Sequence, residues 1–289
     1  SFWASCSIGM TILNKLAVSK TGAPLGVVMV QMAATCAVAV ASGNLHFGKG
    51  TRTWALTIPL LFVAMMVSSM VALRYVSVGT FVVVRNLGPI VTLAIESSVH
   101  RGSGLQLDGQ TVGSLLAVVV GVLLYEDVHA VSFSPLGVTL LLFNIIVACA
   151  ERLGQRHLLA VDAVDVSTPG LMLLNNGIGL GLVVCVAFAS GEQWTKALAS
   201  SAPLDGLIVA GSAAVGCCMS YAGMWLQRLM TATSVMVLGS TCKASLVLLG
   251  IVCWHDTAHP VAVLGALSSL LGCMAYGLVQ QAAKQKAQP

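Results

Sequence analysis

Long apolar runs, each near bilayer length and each closed by a short polar connector, set the limits on this chain. A membrane-spanning helix needs about 20 mostly apolar residues. Ten stretches fit: about 2–18, 24–42, 54–73, 77–98, 110–126, 134–151, 168–190, 204–226, 231–253 and 260–280. The residues are 57% hydrophobic and only 8% charged, where soluble domains carry about 25% charged residues. The expected fold class is therefore an all-α polytopic membrane protein, with no polar stretch long enough for a soluble domain. The first run lacks a charged leader and a cleavage signature, so it reads as a span. The nine cysteines include no C-x-x-C pair and lie mostly within apolar runs. They read as small packing residues rather than as a disulfide framework or a metal site.

The connectors predict an orientation, because basic residues gather on the cytosolic side. Lys49, Arg52, Arg101, Arg152, Arg156, Arg228, Lys284 and Lys286 fall on one side, against Lys20, Arg74 and Lys196 on the other. Both termini are then expected to be cytosolic. The longest polar stretch, Glu151–Asp165, falls in an expected cytosolic connector, 151–167, between 1–150 and 168–289, the whole forming one transport domain. Repeat one would cover about 1–127, with span six at 134–151. Span two opens Pro24-Leu25-Gly26, has Gln31 seven residues on and closes Ala39-Val40-Ala41-Ser42-Gly43; span seven opens Pro169-Gly170, has Asn176 seven residues on and closes Ala187-Phe188-Ala189-Ser190-Gly191. Five spans per half force the second copy to be inverted, the architecture of many secondary transporters with a midplane binding site. The expectation is ten helices in two inverted five-helix repeats.

Two cations interrupt the apolar runs. Lys243 sits inside Leu229–Trp254, and Arg85 inside Val76–Val99. A charge at the bilayer centre costs roughly 2.5 kcal/mol or more, so chains that keep one usually turn it towards a partner or a water-filled cavity. The repeat sets span four opposite span nine, which pairs these two cations and points to an anionic ligand. Lys243 paired with a carboxylate such as Glu96, and Arg85 as a tie between helices, are the structural alternatives.

From Ser220 to Lys243 the chain reads SYAGMWLQRLMTATSVMVLGSTCK. This stretch resembles nucleotide-sugar transporters of the drug/metabolite transporter superfamily, the Golgi GDP-mannose transporters in particular. Ser220, Trp225, Arg228, Thr231, Thr233, Ser234, Gly239 and Lys243 match that family in type and spacing. Asn175-Asn176 stand where it carries F-Y-N-N, Asn14-Lys15 where it ends its first span with N-K, and Phe81–Ile90, with Arg85-Asn86, where its fourth span has a basic residue before Asn. The resemblance implies that Asn175 and Asn176 hold a nucleobase. Gly239, Ser240 and Lys243 would then approach the sugar and phosphates, with Ser220 adding a hydroxyl and Trp3 stacking on the ligand. Carboxamides carry both donors and acceptors, which suits a base edge, and an ammonium supplies a point charge to a diphosphate. Arg85, Asn86, Asn14, Lys15 and Gln31 complete the candidate set. The chain departs from the pattern at Leu173-Leu174, which replace F-Y, at Ser240-Thr241-Cys242 within G-A-L-N-K, and at Val235, where a tyrosine is expected.

The function that follows is antiport of a nucleotide sugar, GDP-mannose-like, against a nucleoside monophosphate, GMP, across the Golgi membrane by alternating access. No cofactor, metal or nucleic acid enters; membrane lipid surrounds the chain, and a homodimer is left open. A UDP-sugar or triose-phosphate translocator is the alternative, although Ala244 stands where the latter carry a second cation. An integral membrane transferase is the remote one. It would need a base, nucleophile or metal cluster, and the sequence has no H-E-x-x-H, Asp-rich motif or Cys/His ligand spacing.

Overall fold

The computed structural model describes residues 2–72, 75, 87–99, 109–125, 135–199, 202–242 and 260–287. Helices account for nearly all of them: α1 Phe2–Thr21, α2 Pro24–Ala41, α3 Thr51–Ala72, α4 Gly88–Val99, α5 Gly109–Tyr125, α6 Pro135–Arg156, α7 Thr168–Ser190, the short α8 Trp194–Ala199, α9 Pro203–Leu229, α10 Ala232–Cys242 and α11 Pro260–Ala287. Among the described residues the one β feature is an isolated antiparallel bridge between Phe47 and Val166. Among the described residues five segments are long and apolar enough to cross a membrane: Pro24–Ala41, Thr51–Ser69, Pro135–Val161, Thr168–Ser190 and Pro203–Leu229. The chain is an all-α, multi-pass membrane protein.

Local sequence explains the helix ends. Pro169 begins α7 with a pre-set φ and no amide to satisfy, the Ser167 hydroxyl accepts from the Gly170 amide, and Gly191 closes the helix at φ 71°, a left-handed position suited to glycine. At α2 the residue before the helix has no capping side chain. The Glu192 carboxylate, remote in sequence, accepts from the Gly26 amide at 3.0 Å and the Leu25 amide at 3.3 Å. A carboxylate at a helix N-terminus is favourable for the backbone donors and the dipole alike.

The expected connector at 151–167 starts later than its charges suggest. Helix α6 runs to Arg156 and widens into a π turn over His157–Val161. Glu151 and Gln155 lie four residues apart, so they share a helix face, and both are buried, as are Leu158 and Leu159. That inward face keeps the segment helical. The remaining stretch, Asp162–Ser167, pairs with the α2–α3 loop: Gly48 N donates to Asp165 O, Asp165 N to Lys49 O and Ser167 N to His46 O.

The chain divides into two compact units, 1–64 with 154–229 and 65–153 with 230–289. Each unit draws helices from both sequence halves. In unit 1, α1 packs on α9, and α2 on both α7 and α9. Its main core joins Ala39, Trp54, Ile58, Leu158, Leu159, Val166, Leu171, Met172 and Met224. In unit 2, α5 lies along α11, with Leu93, Leu115, Val118, Val237, Cys273 and Tyr276 as its core. Gly272 makes that contact close: a Cβ there would fall 2.8 Å from Ser114 O and 2.9 Å from Val118 N.

Candidate functional site

The candidate residues of unit 1 fall on helices whose register the packing fixes. Trp3 of α1 is buried, its indole Nε1 3.6 Å from where a Gly223 side chain would begin. Seven residues earlier on α9, Gly216 faces Met10, seven residues after Trp3 on α1, so the two helices run antiparallel and Ser220 lies on the stretch of α9 between these contacts. On α2, Gln31 packs on Gly216, and the Thr35 hydroxyl lies 3.4 Å from Cys217 Sγ. Cys36 Sγ in turn lies 3.8 Å from where a Gly177 side chain would begin on α7, one residue beyond Asn176. These contacts show that the helices carrying Trp3, Ser220 and the Asn175-Asn176 pair pack on one another within unit 1.

The two asparagines differ. Asn176 is buried, and its Nδ2 donates to Met172 O at 2.9 Å, one turn back in its own helix. Asn175 is half-buried, and among the described residues its buried Oδ1 has no hydrogen-bond partner. A buried acceptor left unmade costs about 1–3 kcal/mol, so such an atom calls for an explanation. A carboxamide oxygen takes two donors, and a base edge carrying N–H groups supplies them.

Asn14 and Gln31 are occupied differently. Gln31 Nε2 donates to Asn14 Oδ1 at 2.7 Å and to Ser212 Oγ at 3.2 Å, tying α1, α2 and α9. Lys15 lies in α1, its side chain outside the described ones. In unit 2, Gly239 and Ser240 lie on α10; among the described residues a Cβ at 239 would meet nothing from a neighbouring element within 4 Å, whereas Ser240 is buried. Thr231 precedes α10 and accepts from the Ser234 amide, so part of the Ser/Thr run serves as a helix cap. Lys243, Arg85 and Asn86 lie outside the described residues. Among those described, no group of three or more His, Cys, Asp or Glu side chains is placed to hold a metal.

Sequence reasoning passed over several buried polar groups. Asn144 of α6 is 1% exposed, its Nδ2 within 2.6–2.9 Å of Met65 O, Ser68 Oγ and Ser69 Oγ of α3. Gln227 of α9, fully buried, donates to Gln155 Oε1 at 3.0 Å. Arg156 Nη1 donates to the final carbonyls of α9, Gln227 O at 2.9 Å and Arg228 O at 2.8 Å. Asn144 carried the signal that marked Lys243, a lone polar residue in an apolar run.

Curated relatives match along nearly the whole chain. It is 27% identical over 95% of its length to a GDP-fucose transporter of Arabidopsis thaliana, covering 83% of that protein. It is 24% identical to the GDP-mannose transporter GONST2 of the same plant, over 97% of this chain and 76% of that one. The GDP-mannose transporter of Kluyveromyces lactis matches at 23% over 98% and 90%. The chain is thus similar over nearly its whole length to curated GDP-sugar transporters. A solved crystal structure shares the fold at TM-score 0.69 with 16% identity, over 95% of this chain and 99% of that one. No protein-family model matches. The four motif stretches quoted above thus lie in a chain similar to transporters from end to end.

Proposed function

We propose that the chain exchanges a GDP-sugar for GMP across the Golgi membrane by alternating access, with both termini in the cytosol. The observation that carries this reading is the unpartnered carboxamide oxygen of Asn175 in a half-buried, apolar setting. Guanine offers adjacent N1–H and N2–H donors to such an oxygen. Trp3 and Ser220 share its unit, and Gly239 and Lys243, on the GSTCK stretch, would meet the sugar and diphosphate. Both substrates are anions with one base, so a single cationic site can serve both directions.

Helix pairing supports ten spans in two inverted repeats. The packed pairs α2–α7 and α5–α11 join spans that the repeat makes equivalent, two with seven and five with ten. The α1–α9 pair joins spans one and eight; the Asn144 contacts join spans six and three, its counterpart under the same exchange.

A thermal-shift panel on the purified full chain tests the base and the sugar together. GMP should stabilise it more than UMP, CMP or AMP, with GDP-mannose and GDP-fucose run side by side to rank the sugars. Asn175→Ala should cut the apparent GMP affinity about tenfold, the value of one lost hydrogen bond of about 1.4 kcal/mol. Equal shifts from all four monophosphates would remove guanine from the proposal. In proteoliposomes preloaded with GMP, Lys243→Ala should abolish exchange while the variant still inserts; unchanged uptake would remove Lys243 from the site.

A further inference from the structure

The chain leaves unit 1 at three places: within α3 after Ala64, within α6 before Gly154, and past the end of α9 after Leu229. Each passage lies beside a weak point in the helical backbone. In α3 this is Pro59, inside the helix, which has no amide to donate to the Ala55 carbonyl one turn back. In α6 it is Gly154, a residue type whose backbone is the least restrained of all. At α9 it is the break itself, since Met230 is helical in neither α9 nor α10. Helices bend at such points rather than along their regular turns.

Contacts inside unit 1 tie the residues at the edge of each weak point to one another. Ile58, next to Pro59, faces α6: a Cβ on Gly154 would fall 3.2 Å from Ile58 Cδ1. Gln155, next to Gly154, faces α9: its Oε1 accepts from Gln227 Nε2 at 3.0 Å. Arg156 Nη1 donates to Gln227 O at 2.9 Å and to Arg228 O at 2.8 Å, just before Met230. Ile58, Gln155 and Gln227 are buried. Buried hydrogen bonds are costly to leave unmade, and those from a guanidinium are among the stronger ones. The consecutive residues 154–156 thus join α3 to α9 beside the three places where the backbone can bend.

We propose that this tied cluster is the fixed pivot of the transport cycle, with bending at Pro59, Gly154 and Met230. The inference rests on the alternating-access reading above. Hinges of this kind are a few residues, distinct from the ligand contacts, that absorb the backbone change. The ties keep the start of α3, the end of α6 and the end of α9 as one piece. The later part of α3, the earlier part of α6 and the start of α10 then turn from it. The pivot sets how fast the chain exchanges, and leaves the affinity for nucleotide to the site on α7.

Exchange by the full chain in proteoliposomes preloaded with GMP, read beside GMP binding by thermal shift, separates a pivot from a packing role. Pro59→Ala gives the Ala55 carbonyl its donor and stiffens α3. Exchange should slow about tenfold, the worth of one helical hydrogen bond that each bend would have to break, while GMP affinity stays as in the unaltered chain. Gly154→Ala combined with Ile58→Val, which removes the Cδ1 that the new methyl would meet, should slow exchange likewise by stiffening α6. Unchanged exchange in either variant, or GMP affinity falling in step with exchange, overturns the pivot. If the unaltered chain does not exchange at all, the transport reading falls and the pivot with it. Amide hydrogen exchange on the unaltered chain decides without any variant: GMP should alter protection at 60–64 and leave 155–156 and 227–229 as they were. Altered protection at the tied residues, or none at 60–64, overturns the proposal.

Discussion

Unit 1 and the α5–α11 pair of unit 2 hold their helices together by different means, while elsewhere in unit 2 Asn144 ties α6 to α3 in the manner of unit 1. Unit 1 uses side-chain ties across helices: Asn14–Gln31–Ser212, Gln155–Gln227, Arg156 on the end of α9, and Glu192 on the start of α2. In unit 2 the α5–α11 pair relies on close approach at Gly272, with one long bond, Ser268 Oγ to Ala117 O at 3.4 Å. The difference is physical. Membrane helices associate through tight packing of small residues or through interhelical hydrogen bonds, each bond contributing about 0.6 kcal/mol on average. A polar interior of the first kind can also leave atoms free for a ligand, as at Asn175; a backbone-to-backbone contact cannot.

Substitutions can break or sharpen that contrast. Gly272→Val should be the most damaging, since its Cβ would overlap two backbone atoms of α5 that have no flexible end to yield. Overpacking costs typically about 1–3 kcal/mol, and thermal melting should show a large fall in the midpoint. A small effect would mean that α5 and α11 slide freely and that unit 2 does not depend on close approach. Arg156→Met should cost about 1 kcal/mol by removing a cation from a helix C-terminus, visible as faster amide exchange at the end of α9 while α5 and α11 stay unchanged. Gln31→Leu should be the mildest, about 0.6 kcal/mol for a tie between helices. Its melting point should barely move; loss of GMP binding as well would promote Gln31 from a tie to a ligand contact.

The sequence made the helices legible and the partnerships opaque. The expected span 168–190 coincides with α7 because proline, serine and glycine mark both ends locally. The π turn was hidden because Glu151, Arg152 and Arg156 read as a polar connector; only the inward spacing of Glu151, Gln155, Leu158 and Leu159 reveals a helix there. The interleaving of the two halves depends on contacts between residues far apart in the chain, which no local pattern carries. The site was half legible. Asn175 and Asn176 stand out by type, yet which of them keeps a free acceptor is decided by the Met172 carbonyl one turn away.

The interleaving also sets a timetable for biogenesis. Helices α1 and α2 leave the ribosome before their packing partners α7 and α9, which begin only at residues 168 and 203. At about 5–20 residues per second of synthesis, the early helices wait on the order of ten seconds, with Asn14 and Gln31 in the lipid-facing interval before Ser212 arrives. Early insertion must therefore tolerate an unfinished polar tie, and a chain truncated before residue 168 would leave α2 with neither its α7 neighbour nor the Glu192 cap.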